Sequence, residues 1–382
     1  MQEAKYKKYL LPFSFAICAL CLSLFGILMI YDASSWAKAQ SQVIWFIIAI
    51  IAGLFSMSID YRFWKKLAWP MYIFSIFLLI LVLIPGVADK TFGAQRWIRL
   101  PPLPFIGPVG FQPAEIAKVS MVIFFSSWFS KSGRKRDGKT FGGFLFFLGL
   151  VIGLVMLEPD LGTTLITVSA VIVIYILARE PMKYIYMLLP AMFIGIVILI
   201  LIAPYRLERL QSYFHFWSDP FNTPDSLGAT YHIRQAIIGI GSGGWLGTGP
   251  GQSRQKYGYL PFAETDSIFA IIGEEFGFVG ITFFLLLLLL FMRQGFLIAD
   301  RADEDFGRLM AAGFITWFGV QIFLNIGAMS VLIPFAGVPL LFVSYGGSAL
   351  VVGFIAVGIL MNIAFSTSRN QGVRTTGIRK KI

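Results

Sequence analysis

Apolar positions along the chain fall into long runs, with neither the alternation of a strand nor the single stripe of a soluble helix. A helix crossing a bilayer needs roughly 20 such residues. Runs of that kind occur at about 10–31, 43–59, 67–85, 111–130, 142–157, 162–178, 184–203, 266–291, 307–330 and 347–367. Ten spans are predicted. Only helices and closed barrels satisfy their backbone in lipid, and runs this continuous are unlike the weak alternation of a barrel. The fold class expected is therefore an all-α polytopic membrane protein. The first run follows Lys5, Lys7 and Lys8 as a signal peptide would, but it is long enough to span and no small-x-small cleavage site follows. It is read as the first transmembrane helix. The stretch 331–346, VLIPFAGVPLLFVSYG, is apolar yet broken by Pro334, Gly337 and Pro339, which argues for a re-entrant or capping loop instead of another helix.

Composition agrees. Of 382 residues, 57% are hydrophobic and 13% charged, with a mean hydropathy of +0.77, whereas soluble domains carry about 25% charged residues. Cys18 and Cys21 both fall inside the first run, where packing accounts for them and they carry no information on redox compartment. His215 and His232 are the only histidines and neither cysteine is placed to join them, so the sequence holds no metal-ligand cluster. No Ser/His/Asp motif stands out either. The net charge of +11 resolves by position: with the N-terminus inside, 21 of the 31 Lys and Arg fall in inner segments and nine in outer ones, with Lys118 inside a span. That asymmetry fits the positive-inside rule with both termini cytoplasmic. The basic segment 131–139 and the basic tail, about 368–382, then need no nucleic-acid partner to explain them. The same topology leaves two long extracytoplasmic loops, about 86–110 and about 204–265. Their Trp, Tyr, Phe, Pro and Gly favour ordered, membrane-hugging loops with short amphipathic segments, such as Tyr205–Trp217.

Ionisable groups within or at the mouth of a span are costly and mark function. In GFQPAEIAKVS, Glu115 and Lys118 stand i, i+3 on one face of the fourth span, with Pro113 suited to the first helical turn. They read either as a self-neutralising structural pair or as a positive charge presented to an anionic substrate. Glu158-Pro159-Asp160 forms a short outer turn in which Asp160 is a helix N-cap or a site residue. Arg96, beside Trp97 in GAQRWI, is an aromatic-belt anchor or a site residue. Asp266 sits at the mouth of the eighth span, where a helix dipole alone would stabilise an acid. Glu274 and Glu275 lie about 12 Å deeper at 1.5 Å per residue and must face a protein-lined cavity, a partner or water. The GxGxxG at Gly239, Gly241 and Gly244 is not a dinucleotide fingerprint, since no strand-turn-helix unit surrounds it and it falls outside the cell. Glycines that let backbone approach a bulky ligand, or that pack a tight loop, fit better.

From Asn325 to Ala349 the chain reads NIGAMSVLIPFAGVPLLFVSYGGSA. This resembles the C-terminal signature of the shape, elongation, division and sporulation (SEDS) family, which includes FtsW, RodA and SpoVE. The resemblance continues through GAQRWI, QPAEIAK, EPDLGT, IGSGGWLGTGPGQSRQKYGYLP and TDSIFAIIGEEFGF, and so covers essentially every span. SRQKYGYLP is closer to the FtsW branch than to RodA. The family's ten-helix plan with both ends inside agrees with the charge count.

The resemblance implies a peptidoglycan glycosyltransferase that polymerises lipid II on the outer face of the bacterial cytoplasmic membrane, in division or elongation. A class B penicillin-binding protein is the implied transpeptidase partner, among other divisome or elongasome membrane proteins. Asp266 would be the general base of an inverting transfer that releases polyprenyl pyrophosphate. Lys118, Arg96 and Arg209 would form the pyrophosphate site, with Glu115 orienting Lys118 and Gln112 and Asp160 as polar lining. No cofactor is called for; a divalent cation (Mg or Mn) could assist the pyrophosphate, though no dedicated cage is apparent. The chain departs from the usual YLPExHTDFIF at Phe262, Glu264 and Ser267, and from the usual Gln at Glu158, while Asp266 is retained. Two other classes stand beside this one. A lipid II flippase would use Glu115, Lys118, Glu274 and Glu275 as a pathway, but no inverted repeat of interrupted helices is visible and the polar elements gather at the outer face. A non-catalytic division scaffold would have no need of Asp266.

Overall fold

The computed structural model describes residues 2–86, 88–91, 94–103, 107–131, 137–202, 204–218 and 229–379. Each of the ten apolar runs is occupied by one helix: α1 (Gln2–Ala33), α2 (Trp36–Ser58), α3 (Tyr61–Leu83), α4 (Pro113–Phe129), α5 (Gly138–Leu157), α6 (Leu161–Leu177), α7 (Met182–Ile202), α10 (Ile268–Arg301), α11 (Asp305–Met329) and α12 (Gly347–Arg379). Between α7 and α10 lie α8 (Pro204–Ser218), which coincides with the expected amphipathic segment, and α9 (Ala229–Ser242). Several starts are fixed by side-chain caps: Ser35, Asp60, Asp137 and Asp160 each accept from a backbone N–H of the following first turn.

Among the described residues, seven helices are long and apolar enough to cross a membrane, namely α1, α2, α3, α5, α10, α11 and α12. α4 and α6 have 17 residues each, about 26 Å of helix, and α4 is buried along almost its whole length, so protein surrounds it. α11 and α12 form the centre, with 72% and 67% of their apolar windows buried against 22% for α5. α12 packs along α2, and α11 along α6 and α10. Rings fill the gaps: Trp69, Tyr72, Phe124 and Phe147 interlock between α3, α4 and α5, and Phe291, Phe318, Phe342 and Phe354 do so at the centre. Outer faces keep large apolar side chains such as Phe55, Ile73, Phe283 and Leu289 exposed, as lipid-facing surfaces require.

One departure from a purely helical chain lies in the outer loop 86–110. It contains an antiparallel sheet of β1 (Ala88–Thr91), β2 (Ala94–Leu103) and β3 (Gly107–Phe111), with Trp97 opposite Asp89 and Ile98 opposite Phe111. Arg96 therefore sits on a central strand. Residues 87, 92–93, 104–106 and 219–228 of the outer loops, 132–136 of the basic segment 131–139 and 380–382 of the tail lie outside the described residues, as do the tail's side chains from Arg369 onward.

The glycine-rich run has a structural role that explains its composition. α10 is broken at Gly277, with φ 61° and ψ −162°, which frees backbone groups on both sides. The run supplies their partners: Thr248 and Gly249 N–H donate to the carbonyls of Glu274 and Glu275, while Phe278 and Val279 N–H donate to those of Gly244 and Trp245. A Cβ on Gly247 would collide with the Glu275 carbonyl, and one on Gly277 with Gly247 N, so only glycine permits this approach. The two acids complete the seal. Glu274 accepts from Ser253 Oγ (2.5 Å) and Arg254 N (3.0 Å), Glu275 from Ser253 N (3.1 Å), and Lys256 Nζ lies 2.6 Å from Asp32 and 3.6 Å from Glu275.

Candidate active site

Asp266 ends a turn that begins at Pro261. Thr265 N and Ser267 N both donate to the Phe262 carbonyl, at 3.0 and 3.1 Å. Phe262 itself has φ 56°, a region that bulky residues enter at a cost of about 1–3 kcal/mol. Neighbouring elements hold the turn in this shape. Ser267 Oγ donates to the Pro261 carbonyl and accepts from His232 Nε2 of α9, both at 2.8 Å. Asn325 Nδ2 of α11 donates to the carbonyls of Asp266 (2.8 Å) and Val338 (2.7 Å). Ser344 Oγ donates to the Thr265 carbonyl (2.5 Å) and Tyr345 N to the Glu264 carbonyl (2.8 Å), while the Glu264 carboxylate pairs with Lys38 of α2.

The segment 331–346 is non-helical, as its prolines predict, and buried from Leu340 to Ser344. One helical turn before Asn325, Gln321 makes a second tie to it. Its Nε2 donates to the Pro339 carbonyl (3.0 Å), and its Oε1 accepts from Trp317 Nε1 (2.8 Å) and Lys118 Nζ (3.3 Å). Two amides four residues apart on one helix face thus carry both the re-entrant segment and the acid.

The charges around Asp266 come from three other elements. A point one Cβ out from Gly337 lies 3.6 Å from Asp266 Oδ2 and 3.8 Å from Arg209 Nη1 of α8. Arg209 also donates to the Phe335 carbonyl (3.4 Å) and stacks its guanidinium 5.0 Å from the Phe335 ring centre. Arg96 donates from Nε and Nη2 to the carbonyls of Glu158 (2.8 Å) and Pro159 (2.6 Å), so β2 pins the α5–α6 turn. Asp160 caps α6 through Thr163 N (2.9 Å) and Thr163 Oγ1 (2.8 Å), and accepts from Gln112 Nε2 (3.1 Å) at the start of α4.

Burial pushes the half-buried Asp266 carboxyl up to about 6; Arg209 and Arg96 oppose the shift and Asp160 adds to it. Burial also holds His232 down at about 4, so its ring is neutral. An acid of this kind is ionised at neutral pH yet basic enough to take a hydroxyl proton.

The structure thus brings Asp266, Arg209, Arg96, Asp160 and Gln112 together. Glu115 and Lys118 form the expected pair at 2.8 Å, but Lys118 is only 2% exposed and lies 4.6 Å from the Trp317 ring centre. As found, the pair is closed on itself and reaches the re-entrant segment through Gln321. Among the described residues no group of three or more His, Cys, Asp or Glu is arranged for a metal ion.

Asn325, Gln321, His232 and Ser267 escaped the sequence reading as site residues. The first two had a signal, two amides at i, i+4 inside an apolar span; His232 and Ser267 had none. An apolar cleft of about 730 Å³ opens between α1 and α2, lined by Ile27, Leu28, Tyr31, Trp36, Val43 and Ile44. Lys38, in the first turn of α2, pairs with Glu264.

The family model of the FtsW, RodA and SpoVE cell cycle proteins matches residues 12–369. Stage V sporulation protein E of Bacillus subtilis is 37% identical over 361 residues, covering 91% of this chain and 95% of its own. A Geobacter protein named probable peptidoglycan glycosyltransferase FtsW is 33% identical, covering 91% and 94%. Its namesake in Taylorella equigenitalis is 36% identical, covering 87% and 89%. Among solved structures, a chain of a peptidoglycan synthase complex superposes with a TM-score of 0.77 at 24% identity, over 93% of this chain and 98% of that one. RodA of Thermus thermophilus superposes with a TM-score of 0.67 at 22% identity, over 92% and 96%. These two likenesses are of fold.

Proposed function

The chain belongs to the FtsW, RodA and SpoVE family, and from that premise we propose that it is a peptidoglycan glycosyltransferase polymerising lipid II at the outer face of the cytoplasmic membrane. The observation that carries the proposal is Asp266 itself: a half-buried acid raised to about 6, its carbonyl tied by Asn325 of α11 and its turn held through Ser267 by α9 and through Thr265 by the re-entrant segment, with Arg209 close by across Gly337.

In the proposed reaction an acceptor sugar hydroxyl attacks the anomeric carbon of a donor lipid. The hydroxyl proton passes to Asp266 as the new C–O bond forms. The bond from that carbon to the pyrophosphate oxygen breaks on the opposite face, and the configuration inverts. General-base assistance contributes about 10²–10⁴ in rate. The departing polyprenyl pyrophosphate needs positive charge held in place beforehand. Arg209 and Arg96 supply it in this reading, since both already act on Asp266. Lys118, enclosed by Glu115, Gln321 and Trp317, is assigned to bracing the re-entrant segment. The α1–α2 cleft, being largely apolar, suits a polyprenyl tail. A class B penicillin-binding protein is the expected transpeptidase partner.

The test is reconstitution of the chain with its transpeptidase on lipid II. Glycan strands are expected. Movement of lipid II across partner-free vesicles, with no polymer formed under any condition, would instead make the chain a transporter.

A further inference from the structure

One carboxyl group in the α5–α6 turn has no place in that mechanism. Glu158 is 1% exposed, and neither of its carboxyl oxygens meets a hydrogen-bond partner among the described residues. The guanidinium beside it does not serve it: Arg96 directs Nε and Nη2 to the main-chain carbonyls of Glu158 and Pro159, not to the carboxyl. The other charged group facing it is Asp160, of like sign, whose own oxygens are engaged by Thr163 and Gln112. A carboxylate enclosed in this way would lose its hydration and gain no hydrogen-bond donor, with only the nearby charge of Arg96 in its favour and that of Asp160 against it, a costly state for a side chain. A neutral carboxylic acid avoids most of that penalty.

We propose that Glu158 is held as a protonated carboxylic acid, standing in for an amide in the turn that Arg96 and Asp160 brace. A protonated Glu and a Gln have the same length and each offers one acceptor oxygen and a hydrogen-bond donor. This accounts for a Glu where the family pattern EPDLGT resembles usually has Gln. Burial first, and Asp160 second, push the carboxyl up to about 9 against the pull of Arg96, so the group stays neutral across the physiological range. The consequence is electrostatic. With Glu158 neutral, Asp160 is the one acid of the turn set against Arg96 and Arg209 around Asp266. An ionised Glu158 would add a second negative charge there, repel a pyrophosphate and weaken the hold of Arg96 on the turn. Glu158 is thus a positioning residue, and its role as a guard of the site's charge rests on the reading of Asp266 as base.

The sign of the pH effect follows. The neutral form persists below about 9 and is lost above it, so polymerisation should fall on the alkaline side, by about tenfold per pH unit once ionisation dominates. Two readouts test this on the full chain. Infrared difference spectra of wild type against Glu158→Gln should show a protonated-carboxyl band at pH 7 that gives way to a carboxylate band as the pH passes 9. That measurement needs no activity, so it judges the protonation state even if the glycosyltransferase reading fails. In polymerisation with lipid II and the transpeptidase, Glu158→Gln should keep the neutral-pH rate and lose the alkaline fall, while Glu158→Ala should lose rate throughout. A carboxylate band at pH 7, or an alkaline limb unchanged in Glu158→Gln, would overturn the proposal.

Discussion

Replacing Arg209 by Gln should move the acid side of the pH profile, because Arg209 opposes the shift that burial imposes on Asp266. Both side chains approach the same point beside Gly337, at 3.6 and 3.8 Å, so Asp266 Oδ2 and Arg209 Nη1 lie no more than about 7.4 Å apart. Two unit charges at that separation interact by about 2 kcal/mol at an effective dielectric near 20, and about 1.4 kcal/mol corresponds to one pH unit. Removing the cation should therefore raise the Asp266 carboxyl by more than one unit above about 6. The sign follows from the role. A general base must be deprotonated, so wild-type rate falls as pH drops through about 6, whereas the variant's rate should already be falling at about pH 7. The assay is the initial rate of glycan formation from lipid II with the transpeptidase bound, measured from pH 5 to 8 at saturating donor. Loss of Arg209 contacts to Phe335 will lower the plateau, but the midpoint of the limb is independent of plateau height. An unshifted midpoint in Arg209→Gln, or no acid limb in wild type, would refute the reasoning.

Two further substitutions separate positioning from chemistry. Asn325→Ala leaves the carbonyls of Asp266 and Val338 without their donor in a residue environment that is 1% exposed, at about 1–3 kcal/mol for each group left unmet. A drop in thermal stability together with a rate loss on the order of 10² is expected if the acid shifts by about 1 Å; a full rate would show that the tie is dispensable. Lys118→Ala strands Glu115 as a buried charge and should destabilise the protein by about 3–5 kcal/mol, lowering kcat while leaving the KM for lipid II unchanged. A raised KM with normal stability would return Lys118 to the substrate.

Much of the architecture was legible because hydrophobic length decides it. Ten apolar runs became ten helices, and Pro334 and Pro339 kept 331–346 from helix. The sheet around Arg96 was not visible: its pairing of 94–103 with 88–91 and 107–111 is a tertiary choice, made in a segment that also contains Pro101 and Pro102. The site was half legible. Asp266 stood out as an acid at a span mouth, and Asp160 as either cap or site residue turned out to be a cap that also meets Gln112. Glu274 and Glu275 were expected to face a protein-lined cavity, a partner or water; the partners found, in the backbone of 253–254, lie 20 to 22 residues away along the chain. Likewise the glycine run could be excluded as a nucleotide motif from its setting, while its fit against the break at Gly277 required seeing both strands of backbone together. Lys118 shows the limit from the other side. Its spacing from Glu115 predicted the pair, yet only the structure reveals that the pair is buried against Trp317 and Gln321.

The central claim is that Asp266 takes the acceptor proton. It is tested most directly by polymerisation of lipid II by the Asp266→Asn protein, an isosteric change that cannot accept a proton, in complex with its transpeptidase. Expression, thermal stability and partner binding should match wild type, and the rate should fall by about 10²–10⁴. Glycan strands formed at the wild-type rate by Asp266→Asn would contradict the account.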